Sequence, residues 1–173
     1  MIKQLTLPNM LTLFGIFLAV IAIILSRYIY FATLLIAIDA CIDYFDGRLA
    51  RKRNQVTILG AKLDVVNDFL AFIVAPMVII FHVLTPSFSL VVVSFAMVYI
   101  VAGSYRLYRE YCREHSTRFL GLPTTITGLL LLGLLHLSLV FLGNGEVVIV
   151  YTVLGVFMLS LFMVSNLQIK RLS

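Results

Sequence analysis

Six long apolar runs follow one another along the chain, at about residues 7–25, 28–49, 61–83, 88–108, 122–142 and 147–169. Each is close to the ~20 residues that a helix needs to cross the hydrocarbon of a bilayer. No water reaches that layer to satisfy backbone N–H and C=O groups, so every run predicts a helix rather than an open strand. The expected fold class is an all-α integral membrane protein with six transmembrane helices. One membrane domain should cover residues 1–173. Pro8 falls where a first helical turn tolerates proline. Pro76 interrupts the third run and should kink it. Thr85-Pro86-Ser87 and Gly143-Asn144-Gly145 read as tight connections.

Composition strengthens that picture. The chain is 62% hydrophobic and 12% charged, against roughly a quarter charged in a soluble domain. No polar stretch is long enough to build a soluble appendage, and no small-residue cleavage site follows the N-terminus. On a six-span topology Lys3, Arg48, Arg51, Lys52, Arg53, Lys62, Arg106, Arg109, Arg113, Arg118, Lys170 and Arg171 share one side, and Arg27 stands on the other. The positive-inside rule then puts both termini in the cytoplasm, in a cell (inner) membrane. The net charge of +5 follows from this one-sided anchoring and does not call for nucleic acid. Tyr105, Tyr108 and Tyr111 suit a cytoplasmic aromatic belt, and Tyr28 and Tyr30 the opposite one. Cys41 and Cys112 read as neither a disulfide nor metal ligands. His82 and His136 are isolated, and His115 sits in a basic loop.

Against this apolar background one stretch carries chemistry: Asp43-x2-Asp46-Gly47-x2-Ala50-Arg51-x8-Gly60-x3-Asp64-x3-Asp68. On a helix Asp43 and Asp46 share a face, as do Asp64 and Asp68. Two facing helices would gather four carboxylates in one small volume. Anions so close repel, and a membrane makes each costlier to keep ionised. Divalent cations remove that cost, and carboxylate oxygens are the ligands that Mg2+ prefers. Gly47 and Gly60 leave room for a ligand beside the backbone. Asp39 lies one turn before Asp43. A carboxylate this deep needs a function or a polar partner, and it either supports its neighbours or lines a nucleotide pocket.

At each of its eight fixed positions this stretch resembles the signature of the CDP-alcohol phosphatidyltransferases, membrane enzymes of phospholipid synthesis. The resemblance implies that a phosphatidyl (or archaetidyl) group passes from a CDP-linked lipid, CDP-diacylglycerol or CDP-archaeol, to the hydroxyl of a small alcohol, with CMP released. It implies two Mg2+ or Mn2+ ions on Asp43, Asp46, Asp64 and Asp68. Asp68 would also be the catalytic base that takes the alcohol proton. Asp43, Asp46, Gly47, Ala50, Arg51, Gly60 and Asp64 would line the CDP-lipid site, with Arg51 on the pyrophosphate. Asn9 and Thr12 resemble a recurrent feature of the family's first span and would either bond the nucleotide or cap a helix. The active site would face the cytoplasm. A homodimer is also implied, and Gly128, Gly133 and Gly155 would suit close helix contact between or within subunits.

Three further stretches resemble the phosphatidylserine synthase branch: Arg106-Leu107-x-Arg109, Phe119-Leu120-Gly121-Leu122-Pro123, and Leu63-Asp64 with Phe72-x2-Ala75-Pro76. L-serine is then the expected acceptor, and Arg106, Arg109 and Arg118 are candidates to meet its carboxylate. The chain departs from that branch at Val65, Val66, Ala71, Ile73, Glu110, Tyr111, Thr124 and Thr125. Glycerol phosphate and inositol phosphate are the alternative acceptors; Phe69 stands where the glycerol-phosphate branch usually has Lys. An ion or solute transporter is the competing class, but it gives no reason for this grouping of acids, glycines and an arginine at one end of the spans.

Overall fold

A computed structural model describes residues 7–52, 57–84, 89–112, 118–142, 145–165 and 168–170. Helices dominate: α1 (Leu7–Ile24), α2 (Ile29–Lys52), α3 (Ile58–Asp68), α4 (Ala75–Leu84), α5 (Ser89–Tyr111), α6 (Thr124–Leu142) and α7 (Gly145–Val164). A π-helical turn, Phe69–Val74, joins α3 to α4 without a break. By length and composition Ile58–Leu84, Leu90–Tyr111, Thr124–Leu142 and Gly145–Val164 can each cross a membrane, and Asn9–Ile24 is a shorter apolar helix. From its middle onward α2 carries Asp39, Asp43, Asp46 and Arg48 and is too polar to be placed with them on composition. Large apolar side chains such as Ile24, Leu90 and Phe141 stay exposed on the outside, which suits a lipid surround rather than water.

The architecture is helical as expected, with one short addition. Arg118–Leu120 (β1) and Gln168–Lys170 (β2) pair antiparallel, Arg118 opposite Lys170. Neither segment has the length or alternation that marks a strand in the sequence. Gly121 follows β1 with φ +75°, a backbone conformation that a side chain disfavours, and a Cβ there would collide with the Met163 carbonyl. Leu122 N–H reaches the Phe162 carbonyl at 3.4 Å. The segment ahead of α6 is thereby laid on the last turn of α7.

The third run carries a local irregularity ahead of Pro76. Pro76 has no N–H to offer the Phe72 carbonyl four residues earlier. The helix accommodates the proline with the wider turn Phe69–Val74, and the Tyr99 hydroxyl of α5 donates to the Phe72 carbonyl at 3.1 Å. Tyr99 and Phe72 are both fully buried, with Ile73, Ile79, Leu131, Leu132 and Met163 around them in the same core. Gly128 of α6 sits directly over the Phe72 backbone. The turn that follows Asp68 is therefore held from α5 and α6 together.

Of the connections expected from sequence, Thr85-Pro86-Ser87 and Gly143-Asn144 lie outside the described residues, as do Lys3, Arg53, Arg113, His115 and Arg171.

Candidate active site

The site is built where α1, α2 and α3 meet. Three positions of α1 spaced by three residues, Asn9, Thr12 and Gly15, face the other two helices. The Thr12 hydroxyl donates to Asp46 Oδ2 at 2.9 Å. Asn9 Nδ2 donates to Thr57 Oγ1 at 3.1 Å. Thr57 caps α3, its oxygen accepting from Gly60 N–H at 3.0 Å, the arrangement that satisfies one orphan donor of a first helical turn. Gly15 stands over Asp39 and Asn67 with no room for a Cβ.

Asp39 is fully buried and bonded. Asn67 Nδ2, itself buried, donates to both of its oxygens at 3.2 Å. Sequence reasoning flagged Asp39 but missed Asn67, because an asparagine between Val66 and Asp68 carries no signal until the fold puts it opposite an acid 28 residues away. The pair ties α2 to α3 one turn behind the carboxylates.

In front of it, oxygens of Asp43, Asp46 and Asp64 lie within 4.8 Å of one another. Two oxygens on opposite sides of a Mg2+ ion stand about 4.2 Å apart. Three hard anionic ligands at this spacing, one buried, one half-buried and one exposed, fit a divalent cation and repel without one. Metal ligation by these three acids is therefore consistent with the donor set.

Asp68 stands outside that group of three. Its Oδ2 accepts from the Thr124 hydroxyl at 3.0 Å, and its Oδ1 is buried with no hydrogen-bond partner among the described residues. Thr124 in turn accepts from Arg106 Nη1 at 2.9 Å, and Arg106 Nη2 pairs with Glu110 at 2.6 Å. The sequence marks Thr124 only as a departure from a related pattern, so its place beside Asp68 is a finding of the structure.

The other predicted site residues divide. Among the described residues nothing lies within 4 Å of where a Cβ on Gly47 would be. The bare face of Gly60 is taken by Asn9, whose Oδ1 would be 2.6 Å from an added Cβ, so the room that sequence reasoning gave to a ligand belongs to α1. Ala50 and Arg51 lie in α2, and Arg118 in β1, but their side chains are outside the described ones. Arg106 is buried and reaches Asp68 through one hydroxyl. Arg109 does not join it: the guanidinium donates to the carbonyls of Met163, Val164 and Ser165 at 3.3–3.5 Å, where a cation complements the C-terminal end of α7.

Comparison with known proteins agrees with the signature. A family model described as CDP-alcohol phosphatidyltransferase matches residues 5–164. A CDP-diacylglycerol--serine O-phosphatidyltransferase of Methanocaldococcus jannaschii is 29% identical over 158 residues, 91% of this chain and 73% of that protein. One of the same description from Bacillus subtilis is 30% identical over 128 residues, covering 72% of each. A CDP-diacylglycerol--glycerol-3-phosphate 3-phosphatidyltransferase of Wigglesworthia glossinidia brevipalpis is 36% identical over 86 residues, 46% of this chain and 47% of that protein.

Proposed function

From the premise that this chain belongs to the CDP-alcohol phosphatidyltransferase family, we propose that it makes a serine phospholipid, moving the phosphatidyl group of CDP-diacylglycerol to L-serine and releasing CMP. The observation that carries the chemistry is the convergence of Asp43, Asp46 and Asp64 within 4.8 Å, with Asp68 alongside. The choice of serine is supported by relatives that span most of this chain, whereas the glycerol-phosphate relative matches less than half of it.

Asp43, Asp46 and Asp64 would hold Mg2+ or Mn2+, with Asp68 closing a second position. Such ions supply charge neutralisation at the pyrophosphate, which phosphoryl transfer chiefly requires. The chain's own residues do the rest. Thr12 holds Asp46 in the orientation that leaves one oxygen for a ligand. The open face of Gly47 admits the cytidine side of the lipid, and Arg51 meets the pyrophosphate. Asp68 takes the proton from the serine hydroxyl through Oδ1, which has no hydrogen-bond partner among the described residues. The serine oxygen bonds the phosphorus nearer the lipid as the bond from that phosphorus to CMP breaks, and CMP carries the leaving charge. Among the candidate cations Arg106 is the one joined to Asp68, and it supplies the positive charge opposite the serine carboxylate.

The six-span topology with both termini and this site at the cytoplasmic side is part of the same proposal, as is a single domain across the chain. It rests on the placement of the basic residues. A homodimer is proposed on the family resemblance. Gly128 packs on Phe72 and Gly155 on Leu134 within the chain, so Gly133, which has open space beside it, is the small residue left for contact between subunits.

The test is purified protein with CDP-diacylglycerol and, in parallel, L-serine, glycerol 3-phosphate or inositol phosphate, reading CMP release. Serine should give the fastest release. A faster reaction with glycerol phosphate would replace the acceptor but keep the reaction. Chelator should abolish turnover and added Mg2+ or Mn2+ restore it, while Asp43→Asn should stay inactive at any metal concentration; full turnover in excess chelator would refute the metal role.

A further inference from the structure

Two acids of the signature are tied to residues outside it, Asp46 to Thr12 and Asp68 to Thr124. Thr124 Oγ1 lies 2.9 Å from Arg106 Nη1 and 3.0 Å from Asp68 Oδ2. A guanidinium N–H can only donate. The Thr124 oxygen therefore accepts from Arg106, and its one O–H proton is directed to Asp68. Each link fixes the next. Arg106 is buried and clamped from its other side by Glu110 at 2.6 Å. Thr124 is 1% exposed and opens α6, and the Thr127 hydroxyl donates to its carbonyl at 2.9 Å. A β-branched side chain so enclosed has little rotamer freedom. Asp68 needs such a hold, because it is the last residue of α3 before the π-helical turn.

We propose that Thr124 is a positioning residue for the transfer reaction: its hydroxyl, directed by Arg106, holds Asp68 by Oδ2 and leaves Oδ1 turned to the acceptor alcohol. The hydroxyl touches neither reacting atom. It fixes which carboxylate oxygen is free and the angle at which that oxygen meets the serine O–H. The inference rests on the reading of Asp68 as the proton acceptor, and the controls separate the two.

Thr124→Val keeps the branched shape and removes the hydroxyl, whereas Thr124→Ser restores the hydroxyl without the methyl. Both are compared with wild type and Asp68→Asn by CMP release from CDP-diacylglycerol with L-serine and Mg2+, with melting temperature in detergent as a check on folding. Thr124→Val should lower kcat about ten- to a hundredfold, the range set by one hydrogen bond to a charged group. KM for the lipid and the Mg2+ concentration for half activity should stay at wild-type values. Thr124→Ser should recover kcat to within about threefold of wild type. Equal losses in Thr124→Ser and Thr124→Val would overturn the proposal, since shape and not the hydroxyl would then matter. So would a raised KM for serine with unchanged kcat, which would assign the effect to Arg106. Wild-type turnover by Thr124→Val beside a crippled Asp68→Asn refutes only the positioning role; wild-type turnover by Asp68→Asn refutes the base itself.

Discussion

Gly15 shows how much of the site depends on a residue with no side chain. Alanine is the better helix former by about 1 kcal/mol, which favours Gly15→Ala in isolation. The fold reverses the sign, because a Cβ at Gly15 would run into Asp39 Oδ1 and sit 3.0 Å from Asn67 Nδ2. Both neighbours are buried and bonded to each other, so neither can swing away without breaking the pair. Overpacking of this kind costs about 1–3 kcal/mol. Gly15→Ala should therefore lower the melting temperature in detergent and lower turnover with it, because the pair sets the spacing of α2 and α3. A variant as stable as wild type would mean that α1 shifts without cost. The four signature aspartates could be read from the chain because acids in an apolar background are costly and need a reason. Asn67 and Thr124 could not, since polar residues of ordinary type gain meaning only from the partner that folding brings to them.

At the scale of elements, the decisive feature is the turn Phe69–Val74. Pro76 predicted a disturbance in the third run, and the sequence marked its position. It did not mark its form, because a missing N–H can be accommodated with or without a π-helical turn. The turn is supported by Tyr99 and Gly128, which come from α5 and α6 and meet the backbone of Phe72. The Tyr99 hydroxyl satisfies a carbonyl in a fully buried setting. Tyr99→Phe keeps the ring and strands that carbonyl, a loss of about 1–3 kcal/mol. The expected outcome is a lower melting temperature in Tyr99→Phe, read by thermal unfolding in detergent. The loss should shrink when Pro76→Ala is added, because alanine supplies an N–H near the same carbonyl. Strictly additive losses in the double variant would show that Tyr99 acts only through packing. The pairing of β1 with β2 was hidden for a different reason: three residues on each side are too few for a periodic pattern, and their register is set by Gly121 and the end of α7.

For the whole molecule, sidedness is the property that ties site to substrate. In the proposed reaction the nucleotide product and the amino-acid acceptor are water-soluble, while the lipid donor stays in the bilayer, so that reaction requires the acids to stand at a membrane face that opens on the compartment holding both. On the proposed topology the basic residues put that face in the cytoplasm. Cys112 offers a direct measurement. It is exposed one residue beyond α5, beside Tyr111, near the turn of helix that carries Arg106 and Glu110. Cys41 is exposed as well but lies midway along α2, flanked by Ala40 and Ile42, where on the proposed topology a charged reagent would meet lipid. A membrane-impermeant maleimide should label Cys112 in inverted membrane vesicles and spare it in intact cells, and Cys112→Ser should remove the signal. Labelling from the outside of intact cells would invert the topology. The acids would then face away from cytoplasmic CMP and serine, and the proposed reaction would lose its source of acceptor.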